Sequence, residues 1–210
     1  MRLSTPASVN GYVMAGGASR RFGSDKAIVK FDGRTLLLRM CTLVEAAADA
    51  VRVVAPAGRY SDQGVSLVQD RWPDQGPLGG IITALRATAE SGAGYEWNLI
   101  LSCDMPFLKS EWLKYLAARA LASDAEVVVP RSAYGLEPLC ACWRTAAANS
   151  LQSAFDRGVR KVTDAMKQLR MEILDETDWK RFDSAGRLFW NMNTPQDYQA
   201  ALQIRRAGEK

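Results

Sequence analysis

The sequence predicts a three-layer α/β/α fold with a mostly parallel central sheet, as a single domain spanning residues 1–210. Three observations predict it. Short apolar runs alternate along the chain with helix-patterned ones, the order expected of strand–helix–strand units. The strand candidates are nearly continuous in apolar residues rather than alternating, as in a sheet covered on both faces. Polar stretches rich in Gly or Asp follow several of them, at the strand ends where open parallel sheets bind ligands.

Taken in order, Val9 to Met14 reads as a short buried strand that runs out into Gly16 and Gly17. "RTLLLRMCTLVEAAADA", from Arg34, has helical apolar spacing and good helix formers. "VRVVAP" is a strand stopped by Pro56, and "GVSLVQD" a second short strand ending at Asp70. "GPLGGIITALRATAE" places Pro77 near a helix start, with Leu78, Ile81, Ile82 and Leu85 on one face. "EWNLILSCDMP" is a strand that stops at Asp104, before Pro106. "KSEWLKYLAARALAS" is a helix with Ser110 as its expected N-cap. "EVVVP" and "EPLCACW" read as strands, followed by a helix from Thr145 to Phe155. The two ends, residues 1–8 and 205–210, are expected to fray.

Composition narrows the function classes. Hydrophobic residues make up 48% of the 210-residue chain and charged residues 24%, ordinary for a globular protein with its own core. No run approaches the roughly 18 apolar residues of a membrane helix. "MRLSTPASVN" lacks the apolar stretch of a secretion signal, so a cytoplasmic protein with no membrane partner is expected. The net charge of +4 is modest. The basic residues are scattered apart from Arg20, Arg21 and Lys26, and Arg157, Arg160 and Lys161. A nucleic-acid surface would show a continuous basic stripe, so none is expected. Cys41, Cys103, Cys140 and Cys142 match no zinc spacing and are expected as buried, reduced thiols. The chain has no histidine, the commonest general base. An enzyme built on it needs a nucleophile that requires little activation, or a carboxylate base.

The chemistry is expected in three stretches. "VMAGGASRRFGSDKAIV" fits neither G-x-G-x-x-G nor G-x-x-x-x-G-K-[ST], because five residues separate Gly17 from Gly23 and Ala27 follows Lys26. Backbone N–H groups around Gly16 and Gly17 can still form an anion-binding nest. Lys26 can act on phosphate as a point charge, and Arg20 or Arg21 as a fork. A solvated basic turn is the competing reading. Asp104, after a mainly apolar run, is either a turn cap or a site group, and its hard oxygens suit Mg²⁺ shared with substrate phosphates. Asp70 carries the same two readings. In "NMNTPQDY", Thr194 as N-cap and Pro195 in the first turn are a sufficient structural account. Asn191 and Asn193, two residues apart, are candidates to share a face and reach the site.

Together, "MAGGASRRFGSDKA", "GPLGG" after Asp70, "CDMPFL" and "NMNTPQDY" resemble the molybdenum cofactor guanylyltransferase family, a branch of the sugar-phosphate-type nucleotidyltransferases. The likeness runs from Val9 to about Tyr198. It implies a Rossmann-like sheet of the nucleotide-diphospho-sugar transferase type. It also implies a reaction, in which GTP and molybdenum-bound molybdopterin give the guanine dinucleotide cofactor and pyrophosphate. In that case Met14, Ala15, Gly16 and Gly17 contact the nucleotide, and Asp70 contributes to the GTP site. Lys26 contacts the phosphates, with Arg20 or Arg21 adding charge, and Asp104 binds Mg²⁺ and nucleotide. Asn191 and Asn193 are acceptor-side candidates. The implied partners are GTP, molybdopterin and proteins that deliver the cofactor. One departure is Ala55, where the family often has asparagine. The alternatives are a transferase that uses CTP or acts on another phosphate, and a nucleotide-binding adaptor without catalysis. The presence of both Lys26 and Asp104 favours the enzyme.

Overall fold

The computed structural model describes residues 8–17, 22–23 and 25–207. β1 (Val9–Met14) is followed by a small antiparallel hairpin of β2 (Lys30–Phe31) and β3 (Arg34–Thr35). Asp32 and Gly33 turn that hairpin at φ 53° and 76°. An Asp-Gly pair suits a two-residue turn because both central positions need positive φ. The hairpin uses Arg34 and Thr35, so α1 (Leu36–Glu45) begins later than its apolar pattern suggests. Thr35 Oγ1 caps it by accepting the Leu38 N–H at 3.3 Å.

β4 (Ala50–Ala55), β5 (Leu67–Gln69), α2 (Pro77–Glu90) and β6 (Trp97–Ser102) come next, close to their sequence expectations. α3 (Ser110–Leu121) corrects one of them. Lys109 is the N-cap, its carbonyl accepting the Leu113 N–H at 3.3 Å, which puts Ser110 inside the first turn. β7 (Val127–Ser132) turns back through β8 (Gly135–Leu136) into β9 (Cys140–Arg144) and α4 (Ala148–Asp156). α5 (Val162–Ala165), β10 (Met171–Leu174), α6 (Glu176–Trp179) and α7 (Pro195–Ala207) complete the chain. β10 was not legible as a strand, since only Leu174 among its residues is fully buried.

The sheet order is β10-β7-β9-β6-β1-β4-β5, with β8 paired to β7. β5, β4, β1 and β6 run parallel, as do β7 and β10. β9 alone on this path runs antiparallel to both of its neighbours. The expected three-layer, mostly parallel architecture is therefore the one observed. Successive strand residues enter opposite cores, as the two-residue strand period requires. Leu99, Leu101, Cys140 and Cys142 pack with Met40 and Val44 of α1 and Trp112 and Leu116 of α3. Ile100, Ala141 and Trp143 pack with Ile81, Ile82 and Leu85 of α2. Both faces are buried, hence the nearly continuous apolar strands. Among the described residues, no helix is long and apolar enough to cross a membrane.

All four cysteines are unpaired and buried. Burial pushes the thiols of Cys41, Cys103 and Cys140 up to about 12 and raises that of Cys142 as well. Because the thiolate is the reactive form, the native protein should resist iodoacetamide near neutral pH and label at all four positions once unfolded. Mass spectrometry of native and denatured samples checks this.

Candidate active site

The parallel register lines up the carboxyl ends of β4, β1 and β6, with Met14 opposite both Val54 and Ser102. The chain that leaves these ends surrounds a cleft of about 440 Å³. Met14, Gly16, Gly17, Asp70 and Asp104 all line it, together with Asp74, Gly76, Pro77, Ser102 and Leu139. α2 starts at this rim, so the positive end of its peptide dipoles faces the cleft.

Asp104 leaves the end of β6 and meets Lys26, a partner 78 residues away, at 3.2 Å between Oδ2 and Nζ. The two side chains are only 18% and 14% exposed, so water screens the pair much less than a surface contact. Lys26 Nζ also donates to the Met192 carbonyl at 3.1 Å and to Asn193 Oδ1 at 3.3 Å. The Met192 N–H donates back to the Asp104 carbonyl at 2.8 Å, so the irregular segment before α7 straps the pair from the far side. A reciprocal cap holds that segment. The Asp197 carboxylate accepts the Asn193 and Thr194 N–H groups, and Thr194 Oγ1 accepts the Asp197 N–H. Thr194 thus caps α7 as its sequence suggests. Asn191 does not join Asn193 at Lys26, because its amide donates to the Phe189 carbonyl at 3.2 Å.

Asp70 caps its turn and lines the cleft. Its Oδ1 accepts the Trp72 N–H at 3.0 Å and so holds the turn. The Thr83 hydroxyl lies 3.3 Å from the same oxygen. Its Oδ2 lies against Gly16, where a Cβ would come within 3.4 Å. Ala15 is more enclosed than expected of a nucleotide contact. Its N–H donates to the Val54 carbonyl and its own carbonyl accepts from the Tyr60 hydroxyl. Ala55 is buried in the α1/α3 core, and its neighbour Val54 lines the cleft. Arg20 and Arg21 lie outside the described residues.

Sequence reasoning missed several groups. Asp25 caps the single helical turn Lys26–Ile28 by accepting the Ala27 N–H at 3.1 Å, and it pairs with Arg59 and Tyr60. Glu137, at the start of "EPLCACW", is buried and accepts the Ser132 hydroxyl at 2.6 Å. Burial raises its carboxyl above the usual range, and the Asp104 charge adds to this. A lone acid at the head of an apolar strand was the available signal for Glu137.

Asp104 Oδ1 is a buried carboxylate oxygen with no hydrogen-bond partner among the described residues. Leaving such an acceptor unpaired is costly, and a hard cation is the ligand that suits it. Among the described residues, no three His, Cys, Asp or Glu side chains cluster closely enough to hold a metal by themselves. A divalent cation held through Asp104 would complete its shell with water and substrate phosphates.

Residues 11–171 match the family model described as the MobA-like NTP transferase domain. The chain belongs to this family. It is 31% identical over 203 residues to a molybdenum cofactor guanylyltransferase of Desulfosudis oleivorans, covering 96% of this chain and 98% of the relative. A probable molybdenum cofactor guanylyltransferase of Opitutus terrae is 34% identical, covering 89% and 91% of the two chains. Among solved structures, the molybdopterin-guanine dinucleotide biosynthesis protein A of Archaeoglobus fulgidus superposes with a TM-score of 0.80 at 25% identity, covering 94% of this chain and 99% of that one. The MobA-like domain is a nucleotidyltransferase domain, and the observed fold is shared with the Archaeoglobus fulgidus protein.

Two outcomes follow from this geometry. A Cβ at position 80 on α2 would lie 2.3 Å from Met14 Cε. Only the flexible tip of Met14 need yield, so Gly80→Ala should disturb the cleft more than the fold. Nucleotide affinity should fall about fivefold, the equivalent of roughly 1 kcal/mol, with little change in Tm. Titration calorimetry and thermal melts read the two effects.

Glu137 supplies the second. Its folded-state pKa lies above the unfolded one, so the folded chain keeps a proton that the unfolded chain has lost. Stability therefore falls as pH rises from the ordinary carboxylate range through the raised value. Glu137→Gln should flatten that decline, which melting curves across the acidic range would show against the parent protein.

Proposed function

We propose that this chain transfers GMP from GTP to the terminal phosphate of molybdenum-bound molybdopterin, giving the guanine dinucleotide cofactor and releasing pyrophosphate. The observation that carries this reading is the enclosed Lys26–Asp104 pair beside a glycine-lined cleft, in a chain of the MobA-like family. An oxygen of the acceptor phosphate forms the new bond to the α-phosphorus as the bond to pyrophosphate breaks. That oxygen is already anionic near neutral pH, so a chain without histidine needs no general base. What the reaction demands is alignment and screening of two anions.

Each part of the site has a share in that task. Gly16 and Gly17 let phosphate come close to the backbone, and the amino end of α2 faces it with positive dipoles. Met14 and Asp70 line the nucleotide side of the cleft, with Ala15 holding the loop behind them. Lys26 supplies a point charge, and Arg20 or Arg21 adds a second. Asp104 would hold Mg²⁺, which when bound spreads and neutralises phosphate charge. Asn193 holds Lys26 from the acceptor side, where Asn191 is the further candidate. The reduced, buried thiols suit a cytoplasmic location.

The test compares kcat/KM for GTP and CTP with the same molybdenum–molybdopterin acceptor and Mg²⁺. GTP should be preferred, because carbonyls of the Gly-rich loop that would accept from guanine would be left unpaired by cytosine, at a cost of about 1–3 kcal/mol. Asp104→Asn should lower turnover by ~10²–10³ and leave Tm nearly unchanged. A CTP preference would reassign the nucleotide, and GTP binding without pyrophosphate release would point to an adaptor.

A further inference from the structure

The loop between β4 and β5 holds a bulky residue in the left-handed backbone region. Tyr60 adopts φ 62° and ψ 14°, a left-handed backbone region that a bulky side chain avoids unless its surroundings hold it there. Its ring is buried, at 6% exposure, and its hydroxyl reaches two other segments. The Ala15 carbonyl, just past β1, lies at 3.1 Å, and Asp25 Oδ2 at 2.8 Å. One hydroxyl proton serves both acceptors, with the shorter distance to the carboxylate. The neighbouring Arg59 guanidinium pairs with the same Asp25 oxygen and stacks 5.2 Å from the Tyr60 ring centre. The β4–β5 loop thus grips Asp25 with two consecutive side chains.

Asp25 in turn controls Lys26. Its other oxygen caps a three-residue helical turn in which Lys26 is the first residue. So short a helix cannot sustain itself, since its one turn carries the whole nucleation cost. It needs an outside anchor. Arg59 also neutralises Asp25, which would otherwise sit as an uncompensated anion next to the cation that meets phosphate. Burial, with the Asp25 carboxylate beside it, pushes the Tyr60 hydroxyl up in pKa, so it stays protonated and a donor at working pH.

We propose that Tyr60 is a positioning residue for the transfer reaction: with Arg59 it fixes Asp25, and through Asp25 it aims Lys26 at the nucleotide triphosphate. This rests on the nucleotidyl-transfer reading above. It assigns the β4–β5 loop a share in how tightly phosphate is held.

The test is a double-mutant cycle on the full chain, with Tyr60→Phe and Lys26→Met singly and together. GTP and guanosine affinity, and pyrophosphate release, are read alongside Tm. Tyr60→Phe should lower turnover and GTP affinity by roughly tenfold or more, the loss expected of a hydrogen bond to a charged group, while guanosine binding holds. In the Lys26→Met background the same change should cost almost nothing in GTP affinity, yet the same amount in Tm. An equal loss in both backgrounds, or a lower Tm with intact GTP binding, would overturn the proposal. Should Tyr60→Phe melt below the assay temperature, Asp25→Asn takes its place in the cycle with the same expectations. If the parent protein releases no pyrophosphate, the transfer reading fails by itself, and the cycle in GTP affinity still decides the role of Tyr60.

Discussion

Lys26 can meet Asp104 only if β1 and β6 lie side by side and in register. The two residues are 78 positions apart; Asp104 follows the carboxyl end of β6 almost at once, and Lys26 opens the helical turn Lys26–Ile28 after that of β1. Parallel pairing of Met14 with Ser102 brings those ends together. Everything else at the site depends on this pairing. The cleft floor, the strap at Met192 and Asn193, and the buried Asp104 Oδ1 all take their places from it.

The same pairing explains why the strands read as they do. A parallel sheet needs crossover helices, and those helices cover both faces. The central strands therefore bury most of both faces, with a few internal polar groups such as Asn10, Tyr12 and Asn98 hydrogen-bonded within the layers. The charged groups of the site lie beyond the carboxyl ends. Charge accumulates where the apolar layers stop, and the low exposure of Lys26 and Asp104 keeps it weakly screened. A site that brings two phosphate groups together benefits from that setting, because cationic groups act more strongly where water is scarce.

Several of the stabilising contacts around the site are side-chain grips on short irregular segments. Asp25 holds one helical turn, Asp70 holds the turn before α2, and Asp197 holds the entry to α7. In each case a carboxylate accepts backbone N–H groups that no strand or helix would satisfy. The loops can then carry chemistry without the cover of regular structure.

By itself the sequence determined the layer order, β1, the bodies of α1 to α4 and the buried thiols. It also determined the Thr194 cap and the family to which the chain belongs. Apolar period, helix propensity and Gly/Pro punctuation are local signals, and these elements are decided locally. The reversal of β9, the edge strand β10 and the cap at Lys109 were settled by pairing with distant strands and by packing. So were the grip of Tyr60 and Arg59 on Asp25, the burial of Glu137 and the separation of Asn191 from Asn193. Nothing in "AGRYSD" names a partner 35 residues earlier. A hydrogen bond across that distance exists only after the sheet has chosen which strand ends to bring together, and that choice belongs to the tertiary structure.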